Sequence, residues 1–288
     1  MLRSMTGFGR AEGVVADRKV SVEVRSLNSR QLDLLLRMPG VHKAQEAGLR
    51  QKLGDRIVRG KAEVVIVRDQ AEGRPALVDH ARVKAFHAEF VAIAGELGMT
   101  APPELLTLAL RMPDVVAGPT EAPAPEEWPG IYALVQQAID AFDTFRCDEG
   151  TRLASELQGR VAAIRAMLDE VEHMDQGRAE RVRDRLRGKL EEAAIAVDHD
   201  RFEQELIHYL EKLDITEEKV RLAAHCDYFN ETLIGEDQQG RKLGFIAQEM
   251  GREINTIGSK ANDATMQRTV VGMKDELEKI KEQVLNVL

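Results

Sequence analysis

A run of apolar residues at near-heptad spacing limits the fold of this chain more than anything else in it: Leu134, Ala138, Phe142, Phe145, Leu153, Leu157, Val161, Ile164, Leu168 and Val171. Steps of three and four residues lie along one stripe of an α-helix, so long helices are expected from Ile131 onward. Such helices offer seams that one chain need not cover alone, which points to self-association. Just upstream, the stretch from Ala117 to Gly130 holds four prolines, two glycines and three glutamates. That composition propagates neither helix nor strand and reads as a boundary or exposed loop.

Before the loop the pattern alternates instead. Val20, Val22 and Val24 share a face, as do Leu32, Leu34 and Leu36, while Val65 and Val67 stand opposite Val64 and Ile66. Three strands are predicted. Val41 to Ile57 reads as a helix, Arg59-Gly60-Lys61 as a turn, and Asp79 to Leu97 as a second helix. In the opening MLRSMTGFGR, Gly7 and Gly9 would let a basic strand bearing Arg3 and Arg10 bend or bulge. The fold class is α+β. A small β-sheet domain with packed helices occupies 1–117, and a Pro-rich linker or loop 118–130. A long-helix region follows over 131–200, with Arg178 to Glu192 as an exposed helix or helical hairpin, and the mostly α C-terminal region covers 201–288.

The 288 residues suffice for two domains. There is no long apolar run, so no membrane partner is expected. The first ten residues lack the apolar segment of a signal peptide, and the two cysteines, Cys147 and Cys226, are far apart. A cytoplasmic protein with reduced thiols is the reading. The net charge of −9 argues against a polyanion partner, but it is unevenly spread. Positions 1 to 68 carry fourteen lysines and arginines against seven acids. That local surplus hints at a polyanion partner, although an acidic protein would serve as well.

The chemistry concentrates near the end of the chain. In GRKLGFIAQEMGREINTIGSKAND, Leu243, Ile246, Ala247, Met250, Ile254 and Ile257 form the apolar stripe of an amphipathic helix. Beside it, at the same spacing, run Arg241, Gln248, Arg252 and Asn255, then Glu249, Glu253, Thr256 and Lys260. A solvated flank of mutually supporting charges is the ordinary explanation. Against it, the ending from Asn255 to Asp263 favours caps and turns, which a plain surface helix does not need. A second polar row, Asp214, Glu218, Arg221 and His225, lies on one face of the preceding helix. Asp214 with Glu217 also fits a capping box, which would place Asp214 at the helix start. Carboxylates with Asn and His suit Mg²⁺ or Mn²⁺, while Arg and Lys neutralise a phosphate, so these ingredients match phosphodiester cleavage. No nucleotide-binding glycine loop, Gly-x-Ser-x-Gly elbow or His-Glu-x-x-His motif competes.

On these residues the chain resembles the YicC/YloC family of bacterial endoribonucleases. The likeness rests on MLRSMTGFGR, EVRSLNSRQLDLLLRMP and RGKAEV near the start, and on DITEEKVRLAAH and GRKLGFIAQEMGREINTIGSKAND near the finish. The middle matches mainly in helical character and in RCDEG at Arg146 to Gly150. Gly244 stands where the family pattern has an aspartate and Gly251 where it has a larger residue. The resemblance implies RNA cleavage, dependence on Mn²⁺ or Mg²⁺, and a ring-shaped homo-hexamer. It nominates Glu218, Arg221, His225, Glu249, Arg252, Glu253 and Lys260 as catalytic, with Glu218, Glu249, Glu253 and Asp263 as metal ligands. Arg3, Arg10, Arg25, Arg30, Arg59 and Lys61 would grip RNA, joined by Arg241, Gln248, Asn255 and Asn262.

A metal-dependent endoribonuclease is therefore expected, with its catalytic groups in 201–288; the alternative is a non-catalytic RNA-binding ring that presents RNA to another nuclease. Two routes fit the residues. His225 could act as base on the RNA 2′-hydroxyl without metal. Alternatively, the carboxylates could hold a metal that activates water. The acidic cluster favours the second, because it would repel phosphate unless a cation lay between.

Overall fold

The computed structural model describes residues 2–69, 77–100, 102–113, 115–117, 124–192, 198–235 and 239–288. Its N-terminal half is built on an open four-stranded sheet of β1 (Gly7–Val15), β2 (Arg18–Leu27), β3 (Leu32–Arg37) and β4 (Gly60–Arg68), in the order β1-β2-β4-β3. β2 lies antiparallel to both β1 and β4, whereas β3 runs parallel to β4. A parallel pair needs a crossover, supplied here by a 3₁₀ turn at Gly40–Gln45 and by α1 (Glu46–Ile57). Val20, Val22, Val24, Ala62, Val64 and Ile66 point into the core. The opposite face is open to solvent and laced with ion pairs, Arg10 to Glu12, Arg25 to Glu23 and Arg37 to Glu63.

The expected bend or bulge at Gly7 and Gly9 does not occur. β1 pairs with β2 without a break from Gly7 opposite Ser26 to Val15 opposite Arg18. The glycines instead let a helix approach the strand: a Cβ on Gly9 would lie 2.6 Å from the backbone nitrogen of Phe142. Beyond the sheet, β5 (Leu77–Val78), α2 (His80–Glu96), α3 (Leu105–Leu110) and β6 (Val116–Ala117) form a satellite around Val83, Ala109 and Val115. Asp79 caps α2 by accepting from the Arg82 amide at 3.0 Å.

The approaching helix is α4 (Glu127–Asp175), 49 residues long. It begins inside the segment read as a Pro-rich loop, because Pro129 sits in the first turn, where a missing N–H breaks no bond. The rest of that segment, 118–123, lies outside the described residues. Ile131, Leu134, Val135, Ala138, Ile139 and Phe142 pack on the sheet, and Leu153 to Val171 enter a separate helical core. Phe145, placed on the buried stripe by its spacing, is 44% exposed; fully buried Arg146 takes the inward position. Arg146 donates from Nε to the Ser4 carbonyl at 2.7 Å and lies over the Phe142 ring. One turn on, Gly150 leaves room for the backbone of Leu2 and Arg3. Residues 2–5 also bond to the other end of the chain, through Met5 N to Asn286 O and Leu288 N to Arg3 O.

The helical half continues with α5 (Arg178–Glu192), α6 (His199–Leu213), α7 (Thr216–Ile234), α8 (Gly240–Lys260) and α9 (Ala264–Val284). α5 and α6 are tied by an Arg183–Glu203 pair. The second half of α4 packs with α7, α8 and α9 around Leu222, Phe229, Met250, Ile254, Met266 and Met273. No helix among the described residues is long and apolar enough to cross a membrane.

Candidate functional site

The apolar stripe of α8 fixes everything beside it. Leu243, Ile246, Ala247, Met250, Ile254 and Ile257 are all buried, so the adjacent row of Glu249, Glu253, Thr256 and Lys260 comes to the rim of the apolar face, where Glu253 and Lys260 meet α7. The two helices run antiparallel, and their polar rows meet. Glu218 in the first turn of α7 accepts from Lys260 Nζ at 3.0 Å. One turn on, Arg221 Nε lies 3.3 Å from Glu253 Oε2, and its Nη2 lies 3.6 Å from Glu218 Oε1. Glu218 and Glu253 are only 4% and 8% exposed.

Burying a carboxylate costs several kcal/mol unless charge and hydrogen bonds compensate it. Here two carboxylates share two cations, Arg221 serving both. The compensation is incomplete, since Glu218 Oε2 is buried with no hydrogen-bond partner. His225, the next group along α7, is half-buried and makes no hydrogen bond or ion pair among the described residues. Glu249 pairs with Arg252 at 2.8 Å on the outer side. Arg241, Gln248 and Asn255 are exposed on the same helix. His225's neighbour Cys226 is deep in the apolar core, where burial pushes its thiol up to about 12.

Two acids named from the sequence hold helix ends. Asp263 caps α9, accepting from the Met266 and Thr265 amides at 3.0 and 2.8 Å, and those bonds hold its pKa below the usual range. Asp214 lies one residue before the N-cap position, Ile215, and braces the start of α7 by accepting from the Thr216 hydroxyl at 2.7 Å and its amide at 2.9 Å, which likewise lowers its pKa. Asn262 lies beside Asp263 and donates to the Tyr209 hydroxyl at 3.4 Å. The structure thus brings together Glu218, Arg221, Glu253 and Lys260, sets Glu249 and Arg252 beside them, and assigns Asp263 a capping role.

Among the described residues no three His, Cys, Asp or Glu side chains converge as a metal cage. Mg²⁺ rarely asks for one: one or two protein carboxylates commonly suffice, with water and substrate phosphate completing the shell. Glu218 and Glu253 fit that pattern, and the unpartnered Glu218 Oε2 is the atom a cation would satisfy.

The N-terminal basic residues fall in three places. Arg30, Arg59 and Lys61 gather at one end of the sheet, where Arg59 Nε donates to the Ser29 carbonyl at 3.0 Å. Arg10 and Arg25 lie on its open face, paired with Glu12 and Glu23, and Arg25 also sits over the Phe8 ring. Arg3 belongs to the strap that crosses α4.

Sequence reasoning missed a further charged junction. Asp175 at the end of α4 holds Arg178 Nε at 3.0 Å and Lys219 Nζ at 2.9 Å. Arg178 also donates to the Leu213 and Lys260 carbonyls. No periodicity could have found this cluster, because its members come from different elements.

This pairing of a small basic sheet domain with a helical half bearing buried acids has a counterpart among known families. The description "Endoribonuclease YicC-like, N-terminal region" matches residues 2–155, and "Endoribonuclease YicC-like, C-terminal" matches residues 171–288; the chain belongs to this family. Two similar proteins carry the name probable endoribonuclease YicC. One, from Clostridioides difficile, is 30% identical over the whole of both chains, and the other, from Haemophilus influenzae, is 31% identical, also over the whole of both.

Proposed function

We propose that this chain is an endoribonuclease whose scissile phosphate binds where α7 meets α8. The observation that carries the reading is the buried Glu218–Glu253 pair, held by Arg221 and Lys260, with one carboxylate oxygen left unpartnered. Buried ion pairs are poor stabilisers compared with apolar packing, so their retention suits a working site. In this reading RNA phosphate competes with the carboxylates for Arg221 and Lys260, whose charges neutralise the one that builds up on the phosphate. Glu218 and Glu253, released in part, would hold a Mg²⁺ or Mn²⁺ ion. When bound, such an ion supplies Lewis-acid polarisation of a phosphoryl oxygen. His225 donates a proton to the leaving oxygen.

The proposal includes a homo-hexameric ring. Val220, Ile234, Phe245 and Val271 are all exposed apolar residues on α7, α8 and α9, surface that a second copy would cover. Light scattering in dilute neutral buffer should give a hexamer; a mass near 32.1 kDa would break the ring model.

The decisive experiment incubates the protein with a labelled structured RNA and Mn²⁺ or Mg²⁺, with and without EDTA. Discrete fragments ending in 3′-hydroxyl and 5′-phosphate are expected, and Glu253→Gln should remove them while RNA binding remains. Fragments with 2′,3′-cyclic phosphate formed in EDTA would overturn the metal assignment and make His225 the base. Binding without cleavage under any metal would favour the RNA-presenting ring.

A further inference from the structure

We propose a second anion site: a cleft beside the carboxylate pair that takes a backbone phosphate of the RNA away from the cut. Its volume is about 440 Å³. Arg178, Arg181, Val182 and Arg185 of α5 form one wall, and Asn262 and Asp263, at the junction of α8 and α9, form another.

The arginine row is what needs explaining. Positions 178, 181 and 185 are three and four residues apart, so three guanidinium groups share one face of a short helix. Like charges at that spacing repel, by roughly 0.2–0.5 kcal/mol per pair. Of the acids of α5, Glu191 faces Arg187 at 4.0 Å, while Glu180 and Asp184 are exposed and do not line the cleft; Arg183 reaches across to Glu203 of α6. The cleft row has little to offset it. Arg178 is neutralised by Asp175. Arg181 spends its donors on the Gln176 and Met174 carbonyls at 2.9 and 2.7 Å, which satisfies its N–H groups and leaves its charge. Arg185 has no hydrogen bond or ion pair among the described residues. Asp263 is the one acid among the described residues lining the cleft; its carboxylate, bonded to the α9 amides, keeps its charge and offsets Arg178 and Arg181 in part. Positive charge is therefore in surplus, carried chiefly by Arg185, and open to solvent.

Position supplies the ligand. Arg178 Nη1 lies 3.5 Å from the Lys260 carbonyl, while Lys260 Nζ bonds Glu218, so one residue separates the cleft from the carboxylate site. A polyanion crossing α7 and α8 at Glu218 meets Arg185 and Arg181 next. The inference depends on the nuclease reading only for the identity of that polyanion. Arginine on a phosphate gives affinity without reading sequence.

The test measures binding without turnover, using a short fluorescein-labelled 2′-O-methyl RNA in EDTA, which blocks both chemical routes. Arg185→Glu should weaken binding about tenfold and flatten the log–log salt dependence by about 0.7 for each RNA phosphate that is no longer neutralised. Arg185→Lys should stay within about threefold, and Arg187→Glu, on the other side of the helix, within about twofold. Circular dichroism confirms that each variant is folded. Equal losses for Arg185→Glu and Arg187→Glu would reduce the effect to general charge and overturn the site. If inorganic phosphate raised the melting temperature of wild type and not of Arg185→Glu, with RNA affinity unchanged between them, the cleft would serve a free anion and the RNA assignment would fall. In cleavage assays the same variant should raise KM and leave kcat nearly unaltered; an unchanged KM sinks the cleft alone. A protein that binds RNA through Arg185 and cuts none sinks the nuclease reading and keeps the cleft.

Discussion

The open face of the sheet and the seam between α7 and α8 handle charge in opposite ways. On the open face of the sheet, Arg10 meets Glu12 and Arg25 meets Glu23, each pair formed within one strand and left in solvent. Such pairs are worth about 0–1 kcal/mol and leave the surface nearly neutral. In the helical half, Glu218 and Glu253 are buried and their cations come from across the helix interface. The open sheet face keeps its charges in water, while the α7–α8 seam, like the Arg68–Glu127 pair buried beside His42 where β4 meets α4, retains desolvated charges that packing alone would not select.

The sharpest way to break this comparison is to remove one acid from each half. Glu218→Gln should lower RNA cleavage by about 10²–10³-fold, whereas Glu23→Gln should leave the rate within about twofold; equal effects, measured on the same labelled RNA, would erase the distinction. Next in size is the seam between the halves. Gly9→Ala drives a methyl group against the α4 backbone and should cost about 3 kcal/mol in urea unfolding. Gly159→Ala, on the same helix with nothing within 4 Å of the new carbon, should instead add about 0.5–1 kcal/mol.

Acid should loosen the helical half through the carboxylates that hold its helix starts. Asp263 and Asp214 have folded pKa values below their unfolded ones, so their contribution is full above the unfolded pKa near 3.8 and is lost as pH falls through the folded value. Amide exchange at the starts of α7 and α9 is expected to rise below about pH 4. Asp263→Ala should cost about 1 kcal/mol at neutral pH and flatten that acid response, while Asp263→Asn should keep the cap without the response. The smallest effect separates the basic residues of the sheet. Arg30 has no acid partner among the described residues, so Arg30→Ala should weaken RNA binding about threefold, and Arg25→Ala, whose arginine is already paired, by less than twofold. The reverse order in a fluorescence titration would mean that Arg25 leaves Glu23 for RNA.

Much of this was legible in advance. Val20, Val22 and Val24, like the α8 stripe, announce their elements because burial demands apolar side chains at the element's own period. β1 was harder to read as a core strand, since its inward positions are Gly7, Gly9, Ala11 and Gly13, kept small by the helix that lies on them and silent on any hydrophobic scale. The polar rows of α7 and α8 were readable one helix at a time. That Lys260 meets Glu218, or that Asp175 meets Lys219, depends on how separate helices pack, which no local spacing encodes. The Arg178 row stayed hidden because a charged helix looks the same whether it faces water or a cleft.

The helix shared by both cores has a consequence for length. An α-helix advances about 1.5 Å and turns about 100° with each residue, so α4 works as a phase gauge between the sheet core ending at Phe142 and the helical core starting at Leu153. One residue inserted between them would rotate one core against the other by about 100° and carry Gly150 away from Leu2. Seven residues would restore the azimuth to within about 20° while separating the cores by about 10 Å. Length changes in this stretch are therefore quantised: the chain can vary in its loops by single residues, but along this span only in near-whole heptads, and even those must stretch the strap formed by residues 2–5.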